Sequence, residues 1–353
     1  MKIPYTIPKY VFETYRCSDE TTQLPTETER TIRSEDVYWD VDRVPSLKTL
    51  ALRVIASEWK RNPILEELPT CEDRNELIEI LSTDLPFELT IKKIEDDYYW
   101  ERCSKARWEH NDLSIHGNSW RRRYCEGTLS EYLEKLDPTF FEAQKEECEK
   151  MIDLVHKYVY TIQIRSLIPT REYPINHIPL DIILPHFPNL TEIRINFGQI
   201  YMNDGFEWKD FDISIEDCLG LGRGIKACEK LKKFSLTRSN VDQLRIAALL
   251  QGMPLQIEEL NFSHCKLGNV GAQAIGEFLL LHKKLKILHL ENNNIGPEGV
   301  AGIIYGLLQL ENAIMFKVLN LGMNPLLDNG MFHICACKNE SLEVLNLSAC
   351  KIE

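Results

Sequence analysis

The second half of the chain repeats one pattern of apolar positions. Five segments follow the form L-x-x-L-x-L-x-x-N/C-x-L, with apolar residues at the first, fourth, sixth and eleventh positions. These units begin at Leu231, Ile257, Leu285, Phe316 and Leu342, so their spacing is 26 to 31 residues. The alternation of apolar and polar positions predicts one short strand per unit, followed by a return segment.

The return segment has helical spacing. Glycine stands fourteen residues after the start of three units, at Gly271, Gly299 and Gly330, and an aliphatic residue follows four positions later, as at Ile275 and Ile303. These signals predict a helix on the convex side of each unit. Such units resemble the ribonuclease-inhibitor type of leucine-rich repeat. We therefore predict an α/β fold, a ribonuclease-inhibitor-type leucine-rich-repeat solenoid (horseshoe) preceded by a small helical domain.

Weaker copies of the unit precede Leu231. Strand-like segments at 159–164 and 190–195 raise the expected number of parallel strands to about seven, and an aromatic-rich insertion follows over 198–212. Glycines at 220, 222 and 224 mimic part of a dinucleotide-binding loop. They lack an acidic partner and a βαβ context, so we interpret them as part of a helix and expect no cofactor.

The ninth position of each unit predicts a structural ladder. A polar side chain at the corner after each strand can bond neighbouring backbone groups that the core would otherwise leave unpaired. Cysteines at this position are interpreted as ladder residues, not as reactive thiols. The predicted ladder is Ser239, Cys265, Asn293, Asn324 and Cys350.

Positions five and seven alternate with the core and predict a concave binding face. Position five carries Ser235, Asn261, His289, Asn320 and Asn346. Position seven carries Thr237, Ser263, Glu291 and Ser348, beside a glycine at 322. The region 231–353 has eleven basic and eleven acidic residues, so the face is polar and nearly neutral. It favours a protein partner over a small-molecule substrate, because nothing suggests a convergent pocket.

The first half predicts helices. Helical spacing is found over 47–59, 73–83, 88–108, 129–136 and 140–158. We expect a partly ordered N-terminal arm at 1–45, a helical domain at 46–157 that covers the first edge of the solenoid, and the solenoid at 158–353.

Charge narrows the partner classes. The 353-residue chain has a formal charge of −13, all of it within residues 1–230, which disfavours binding to nucleic acid or to an anionic membrane surface. Residues 66–101 carry twelve acidic and three basic side chains, interpreted either as a solvated helical face or as a docking site for a basic partner. No apolar run is long enough to span a bilayer and the start lacks a secretory signal, so we expect a soluble intracellular protein.

Cysteine usage supports the same compartment. The eleven cysteines are odd in number and follow no signal peptide, so reduced thiols are expected. The pair Cys335 and Cys337 has no second pair or histidine cluster at zinc-ligand spacing, and no metal site is predicted.

Two aromatic and basic segments, at 98–108 and 117–124, form the densest such block. It could present a docking surface, or pack a small core with arginine stems lying over the rings. An RNA surface is disfavoured by the acidic surroundings. The candidate docking residues are Trp100, Arg102, Arg107, Trp108, Trp120, Arg121 and Arg122.

The same block carries a family resemblance. The pattern Y-W-x-R-C-x-K-A-R-W at 99–108, then G-x-S-W-R-R at 117–122, ahead of the repeats, resembles the t-complex-associated testis-expressed protein 1 family, also called dynein regulatory complex subunit 5. The resemblance covers roughly residues 47–353. The first 45 residues match nothing recognisable. Because the last unit stops after its strand, we expect a fragment or isoform of a longer protein.

The resemblance implies a function. It implies a non-catalytic scaffold subunit of the nexin–dynein regulatory complex, which links axonemal doublet microtubules and regulates dynein-driven motility of cilia and sperm flagella. The implied partners are other subunits of that complex and axonemal proteins. The implied location is the cytoskeleton of the cytoplasm, in the axoneme of a cilium or flagellum.

Two alternatives stay open. A GTPase activator of the Ran type shares this repeat, and Asn292, Asn293 and Asn294 are the nearest candidate residues. A cytosolic binding protein like ribonuclease inhibitor would need a strongly charged concave face, which the neutral count does not offer. We predict no enzyme, since no catalytic motif is present and the strand histidines His264 and His289 lack a positioned nucleophile.

Overall fold

A computed structural model describes residues 45–170, 175–197, 212–309, 316–337 and 341–353. The predicted arm at 1–45 lies outside the described residues except for its last residue, and the insertion at 198–212 lies outside them up to residue 211. The description below concerns the remaining ranges.

Six α-helices precede the first strand in the described part of the chain. They are α1 (Leu47–Glu58), α2 (Cys71–Ile80), α3 (Phe87–Lys93), α4 (Asp97–Arg107), α5 (Trp120–Lys135) and α6 (Phe141–Val155).

Capping residues explain where two of these helices differ from the prediction. The single helix predicted over 88–108 is two helices, because Asp96 accepts a hydrogen bond from the backbone N–H of Tyr98 at 2.8 Å and so begins α4. The predicted helix at 129–136 begins much earlier, at residue 120, where Ser119 accepts from the backbone N–H of Arg122. Side-chain caps therefore set boundaries that apolar spacing misplaced.

Seven parallel strands follow, each paired with the next in chain order. They are β1 (Thr161–Ile164), β2 (Glu192–Asn196), β3 (Lys233–Thr237), β4 (Glu259–Asn261), β5 (Ile287–His289), β6 (Val318–Asn320) and β7 (Val344–Asn346). The connections carry α7 (Leu180–Ile183), α8 (Ile215–Lys226), α9 (Gln243–Leu250), α10 (Gly268–Leu281), α11 (Pro297–Leu308) and α12 (Leu327–Ala336). The predicted leucine-rich-repeat solenoid is confirmed.

One apolar core runs through the helical part and the solenoid. In β4 to β6 the fourth repeat position is filled by Leu260, Leu288 and Leu319, each at most 1% exposed. Strand pairing aligns these three residues, so every unit packs its aliphatic row on its neighbour's. Trp59 and Trp100 extend the same core into the helical part.

Glycines let the convex helices approach one another closely. A Cβ atom on Gly224 of α8 would lie 2.7 Å from the carbonyl oxygen of Leu180 in α7, and one on Gly276 of α10 would lie 2.2 Å from that of Gly302 in α11. Backbone therefore packs directly on backbone at these positions. The glycines at 220, 222 and 224, which mimic a dinucleotide loop in sequence, all lie in helix α8.

None of the helices in the described ranges is both long and apolar enough to cross a membrane. The longest apolar-rich connection in the solenoid, α10, has only 14 residues.

Candidate functional site

The five predicted ladder residues lie in a row beneath the strand corners. Asn324, 1% exposed, accepts at Oδ1 from the backbone N–H groups of Asn293 and Ile295 at 2.8 and 3.0 Å. Its amide N–H groups donate to the carbonyl oxygens of Leu290 and Leu321, both at 2.9 Å. One side chain thus satisfies backbone groups of two successive units.

The other ladder residues repeat this role. Asn293 is fully buried and donates to the Phe262 carbonyl oxygen at 2.8 Å. Ser239 accepts from the backbone N–H of Phe197 at 3.1 Å. The thiols of Cys265 and Cys350 each point at a carbonyl oxygen of the preceding unit, at 3.5 and 3.2 Å. The row keeps the turns of neighbouring units in fixed register, which gives the concave face a rigid base.

The concave face lies above this base. Strand register places the position-five residues of β3 to β7 side by side, in the order Ser235, Asn261, His289, Asn320 and Asn346. All five are half-buried. Adjacent parallel strands lie about 4.8 Å apart, so the column is a continuous polar stripe.

Local hydrogen bonds hold most of this stripe in one conformation. In three units the asparagine at position five accepts from the backbone N–H of position seven, at 2.9, 3.0 and 3.0 Å for Asn261, Asn320 and Asn346. Asn320 also donates to Glu291 at 3.2 Å. These bonds use the carbonyl oxygens, so the polar surface is ordered before any partner arrives and loses less entropy on binding.

Position seven and the strand edges complete the face. Thr237 and Glu291 are half-buried, Ser263 is buried, and Ser348 is exposed. Along position two, Glu258 is bonded by Lys286 at 2.6 Å and by Lys232 at 3.2 Å. The hydrogen bond from Lys286, assisted by Lys232, holds the pKa of Glu258 below its ordinary value. This effect outweighs burial, which acts to raise the pKa. Cross-strand pairing of this kind leaves the face nearly neutral.

The candidate docking block is mostly interior packing, which corrects the prediction for these residues. Trp100 is fully buried and donates its indole N–H to the Ile94 carbonyl oxygen at 3.0 Å. Arg102 donates to the carbonyl oxygens of Ile78 and Leu81 at 2.6 and 3.0 Å. Those carbonyls stand at the end of α2, where the helix itself supplies no donors. The Trp100 side chain is therefore unavailable to a partner, and the Arg102 guanidinium is engaged by the end of α2.

Three further members of the block hold α5 in place. Arg121 donates to the Ile91 carbonyl oxygen at 2.6 Å. Arg122 donates to the hydroxyl of Thr161, on the first strand, at 3.1 Å. Trp120, at the start of α5, is half-buried against the core. The arginine stems therefore lie over a small aromatic core, which is the alternative interpretation of this block.

A buried glutamate that the sequence does not mark covers the first edge of the sheet. Glu126 is 2% exposed and accepts from the backbone N–H groups of Tyr160 and Thr161 at 2.7 and 2.8 Å. Arg122 and His116 contact the same carboxylate. These bonds satisfy edge groups that would otherwise template another strand.

The last two members of the block, Arg107 and Trp108, stand beside a cavity. Arg107 is paired with Glu131 at 2.6 Å and bonded to Thr128 at 3.1 Å. Trp108 is half-buried and donates its indole N–H to the same Glu131. Arg123, in the same 117–124 segment, lies over the Trp108 ring at 4.2 Å.

The described cysteines differ in their burial. Burial raises the pKa of Cys265 and of Cys218 to about 12, whereas Cys71 and Cys335 are exposed. Across the described ranges, no three His, Cys, Asp or Glu side chains gather as a metal site. His289 lies in the concave stripe.

The three asparagines considered for GTPase activation are not equivalent. Asn293 is buried in the ladder, so only Asn292 and Asn294 reach the surface. Both have left-handed backbone conformations, with φ of 53° and 56°. Asn292 donates to Nδ1 of His264 at 3.1 Å. The pair of exposed asparagines lies at a strand corner, not in a pocket.

Comparisons with known proteins agree with this architecture. A family model described as Leucine Rich repeat matches residues 257–276 and 282–303. Dynein regulatory complex subunit 5 of Mus musculus is 30% identical over 268 residues, which cover 69% of this chain and 53% of the relative. The protein of that name in Homo sapiens is 29% identical over 268 residues, with the same shares of 69% and 53%.

A more distant relative extends the comparison. Dynein regulatory complex subunit 5 of Chlamydomonas reinhardtii is 27% identical over 206 residues, covering 58% of this chain and 50% of the relative. The chain thus spans about half the length of the relatives it matches. These matches confirm the resemblance predicted from the aromatic and basic block.

Proposed function

We propose that this chain, a relative of dynein regulatory complex subunit 5, is a non-catalytic scaffold subunit of a dynein regulatory complex. Its location would be the axoneme of motile cilia and flagella, sperm flagella included. Its partners would be other subunits of that complex and axonemal proteins. The relatives in Mus musculus and Chlamydomonas reinhardtii share this name, which supports membership of a dynein regulatory complex.

The observation that carries the scaffold role is the uninterrupted polar stripe on an open, seven-stranded concave face. A stripe ordered by internal hydrogen bonds suits recognition of an extended or helical protein surface. Catalysis needs convergent groups in a water-excluding pocket, and the stripe offers a broad open face instead. The ladder and the shared core keep that face rigid.

The two parts of the chain have different roles in this proposal. The solenoid at 158–353 binds the partner, and the helical domain at 46–157 covers the first strand and fixes the end of the face. The acidic stretch at 66–101 remains a solvated helical surface that orients encounter with basic partners through long-range attraction.

A pull-down from ciliated cells tests the proposal. The full chain is tagged and compared with an Asn261→Arg, His289→Arg double variant, which places two long cations on the stripe. Leu244→Arg on the convex side, where Leu244 is 59% exposed, is the matched control. We expect wild type and control to recover other regulatory-complex subunits by mass spectrometry and the double variant to lose them.

Recovery of the same subunits by the double variant would remove the concave face from the mechanism. Recovery of no axonemal protein by the wild type would remove the scaffold role altogether. Stimulated GTP hydrolysis by a nuclear-transport GTPase would instead favour the activator alternative.

A further inference from the structure

The concave face does not end at its first strand. A cavity of about 540 Å³ lies against β1, and it is lined by Thr161 and Gln163 of this strand and by Arg165, which follows it. These residues hold the third, fifth and seventh positions of that unit, which are the outward positions of the concave face. The opposite wall is formed by α5 and by residues 107–116. The cavity therefore lies at the first-strand end of the same concave face.

Arg123 is the unusual group in this cavity. Its guanidinium lies 4.2 Å from the centre of the Trp108 ring and makes one long hydrogen bond, 3.5 Å, to the His110 carbonyl oxygen. Within the described residues no carboxylate lies within 4.0 Å of it. Burial lowers the pKa of Arg123, and the nearby charges of Arg165 and Arg107 act in the same direction. A guanidinium carries five N–H donors, so most of them have no acceptor here.

Four carboxylates line the cavity beside the arginines, those of Glu109, Asp112, Glu126 and Glu131, and most of the neighbouring charges are already engaged. Arg107 is paired with Glu131, and Arg165 with Glu134 at 3.3 Å. Glu126 accepts from two backbone N–H groups, as described above. The negative charges of Glu131 and Glu126 partly offset the positive charge around Arg123, but neither carboxylate forms a salt bridge with it. Of the three described arginines that line the cavity, Arg123 is the one without a carboxylate partner within 4.0 Å.

The seat of Arg123 is formed by a glycine. A Cβ atom on Gly127, one helical turn further along α5, would lie 2.3 Å from Nη1 of Arg123 and 2.9 Å from the Trp108 ring. Trp108 is itself held by its bond to Glu131. The stacked pair is thus fixed in position, which lowers the entropic cost of receiving a ligand.

We propose that this cavity binds the carboxylate of an acidic peptide segment in a partner protein, with Arg123 as the recognising cation. The inference rests on the proposed scaffold function and names the chemistry of one partner. A planar guanidinium matches a carboxylate with two parallel hydrogen bonds. A segment lying along the concave stripe would place its end in this cavity.

Peptide binding tests the inference directly. The probe is a fluorescein-labelled (Gly-Glu)5 peptide, and an identical (Gly-Gln)5 peptide lacks the charge. Fluorescence anisotropy is measured with the full chain as wild type, Arg123→Met and Arg223→Gln. Methionine keeps an apolar stem on Trp108, and Arg223, which is 64% exposed, paired with Asp181 at 2.7 Å and outside the cavity lining, is the matched arginine control. Thermal unfolding shows that each variant is folded.

We expect the glutamate peptide to bind more tightly than the glutamine peptide and to weaken as salt is raised. Arg123→Met is expected to weaken it by about tenfold or more, and Arg223→Gln by less than about threefold. Equal binding of both peptides, or an unchanged affinity in Arg123→Met, would overturn the inference. The pull-down described above would still decide the scaffold proposal, because its variants lie on β4 and β5.

Discussion

Replacing Asn324 with alanine should destabilise the solenoid far more than replacing Asn320. Both asparagines belong to the same repeat: Asn320 is the last residue of β6, and Asn324 lies in the corner that follows this strand. Asn324 is buried in the ladder and Asn320 is half-buried in the concave stripe. The comparison therefore isolates the contribution of the ladder with one residue type.

The magnitude follows from the bonds that each substitution removes. Alanine at 324 leaves the backbone N–H groups of Asn293 and Ile295 buried without an acceptor. A buried donor without a partner costs about 1–3 kcal/mol, so the pair costs roughly 2–6 kcal/mol. The lower half of that range is expected, because water can enter the space that the amide leaves. Alanine at 320 removes the bond from the Gly322 N–H and the bond to Glu291, both at a partly solvated site, and should cost less than about 1 kcal/mol.

Thermal unfolding followed by circular dichroism provides the assay. A loss of 1 kcal/mol lowers the Tm of a domain of 150–250 residues by about 2–4 °C. Asn324→Ala should therefore lower the Tm by roughly 4–16 °C, and Asn320→Ala by less than about 4 °C. Equal shifts in the two variants would refute the claim that the ninth-position side chain stabilises the protein by hydrogen-bonding buried backbone groups.

The remaining predictions concern helix packing, thiol reactivity and pH. Gly224→Ala should destabilise the protein, because its Cβ would meet a backbone oxygen at 2.7 Å, whereas Gly220→Ala, whose nearest atom is 3.7 Å away, should be neutral or stabilising by up to about 1 kcal/mol in urea unfolding. At pH 8, iodoacetamide should label Cys71 rapidly and leave Cys265 unlabelled until denaturant is added, as peptide mass spectrometry would show. The folded-state pKa of Glu258 is lowered, so its stabilising effect is complete above its ordinary pKa of about 4.3 and is lost as the pH falls through the folded-state value. Glu258→Gln should therefore reduce the loss of stability at acid pH in a series of unfolding measurements. An unchanged pH dependence would contradict the ion pairing.

The repeats could be predicted from sequence because the same pattern of apolar positions recurs in each of five units. Five copies place Leu260, Leu288 and Leu319 at equivalent positions, so an error in one unit is corrected by the others. The strand direction, the order of pairing and the outward column all follow from that register. Periodicity is strong evidence when a physical requirement recurs in every unit.

The helical domain could be predicted only in part, because each of its contacts occurs once. Nothing in the local pattern distinguishes an arginine that caps a helix end, as Arg102 does, from one that faces a partner. Glu126 has no apolar periodicity to mark it as buried, since its partners are the backbone of residues 160 and 161, more than thirty positions away. Gly127 shows its purpose only when Arg123 and the Trp108 ring are seen against it. Contacts between distant segments are what the sequence leaves open.

The most direct test of a scaffold acting through its concave face is imaging of the tagged chain in a motile ciliated cell. The account predicts that the wild type lies along the axoneme, and that the Asn261→Arg, His289→Arg variant is expressed and folded but absent from it. A wild-type chain that stays out of the axoneme, or a double variant that enters it as well as the wild type, would contradict the account.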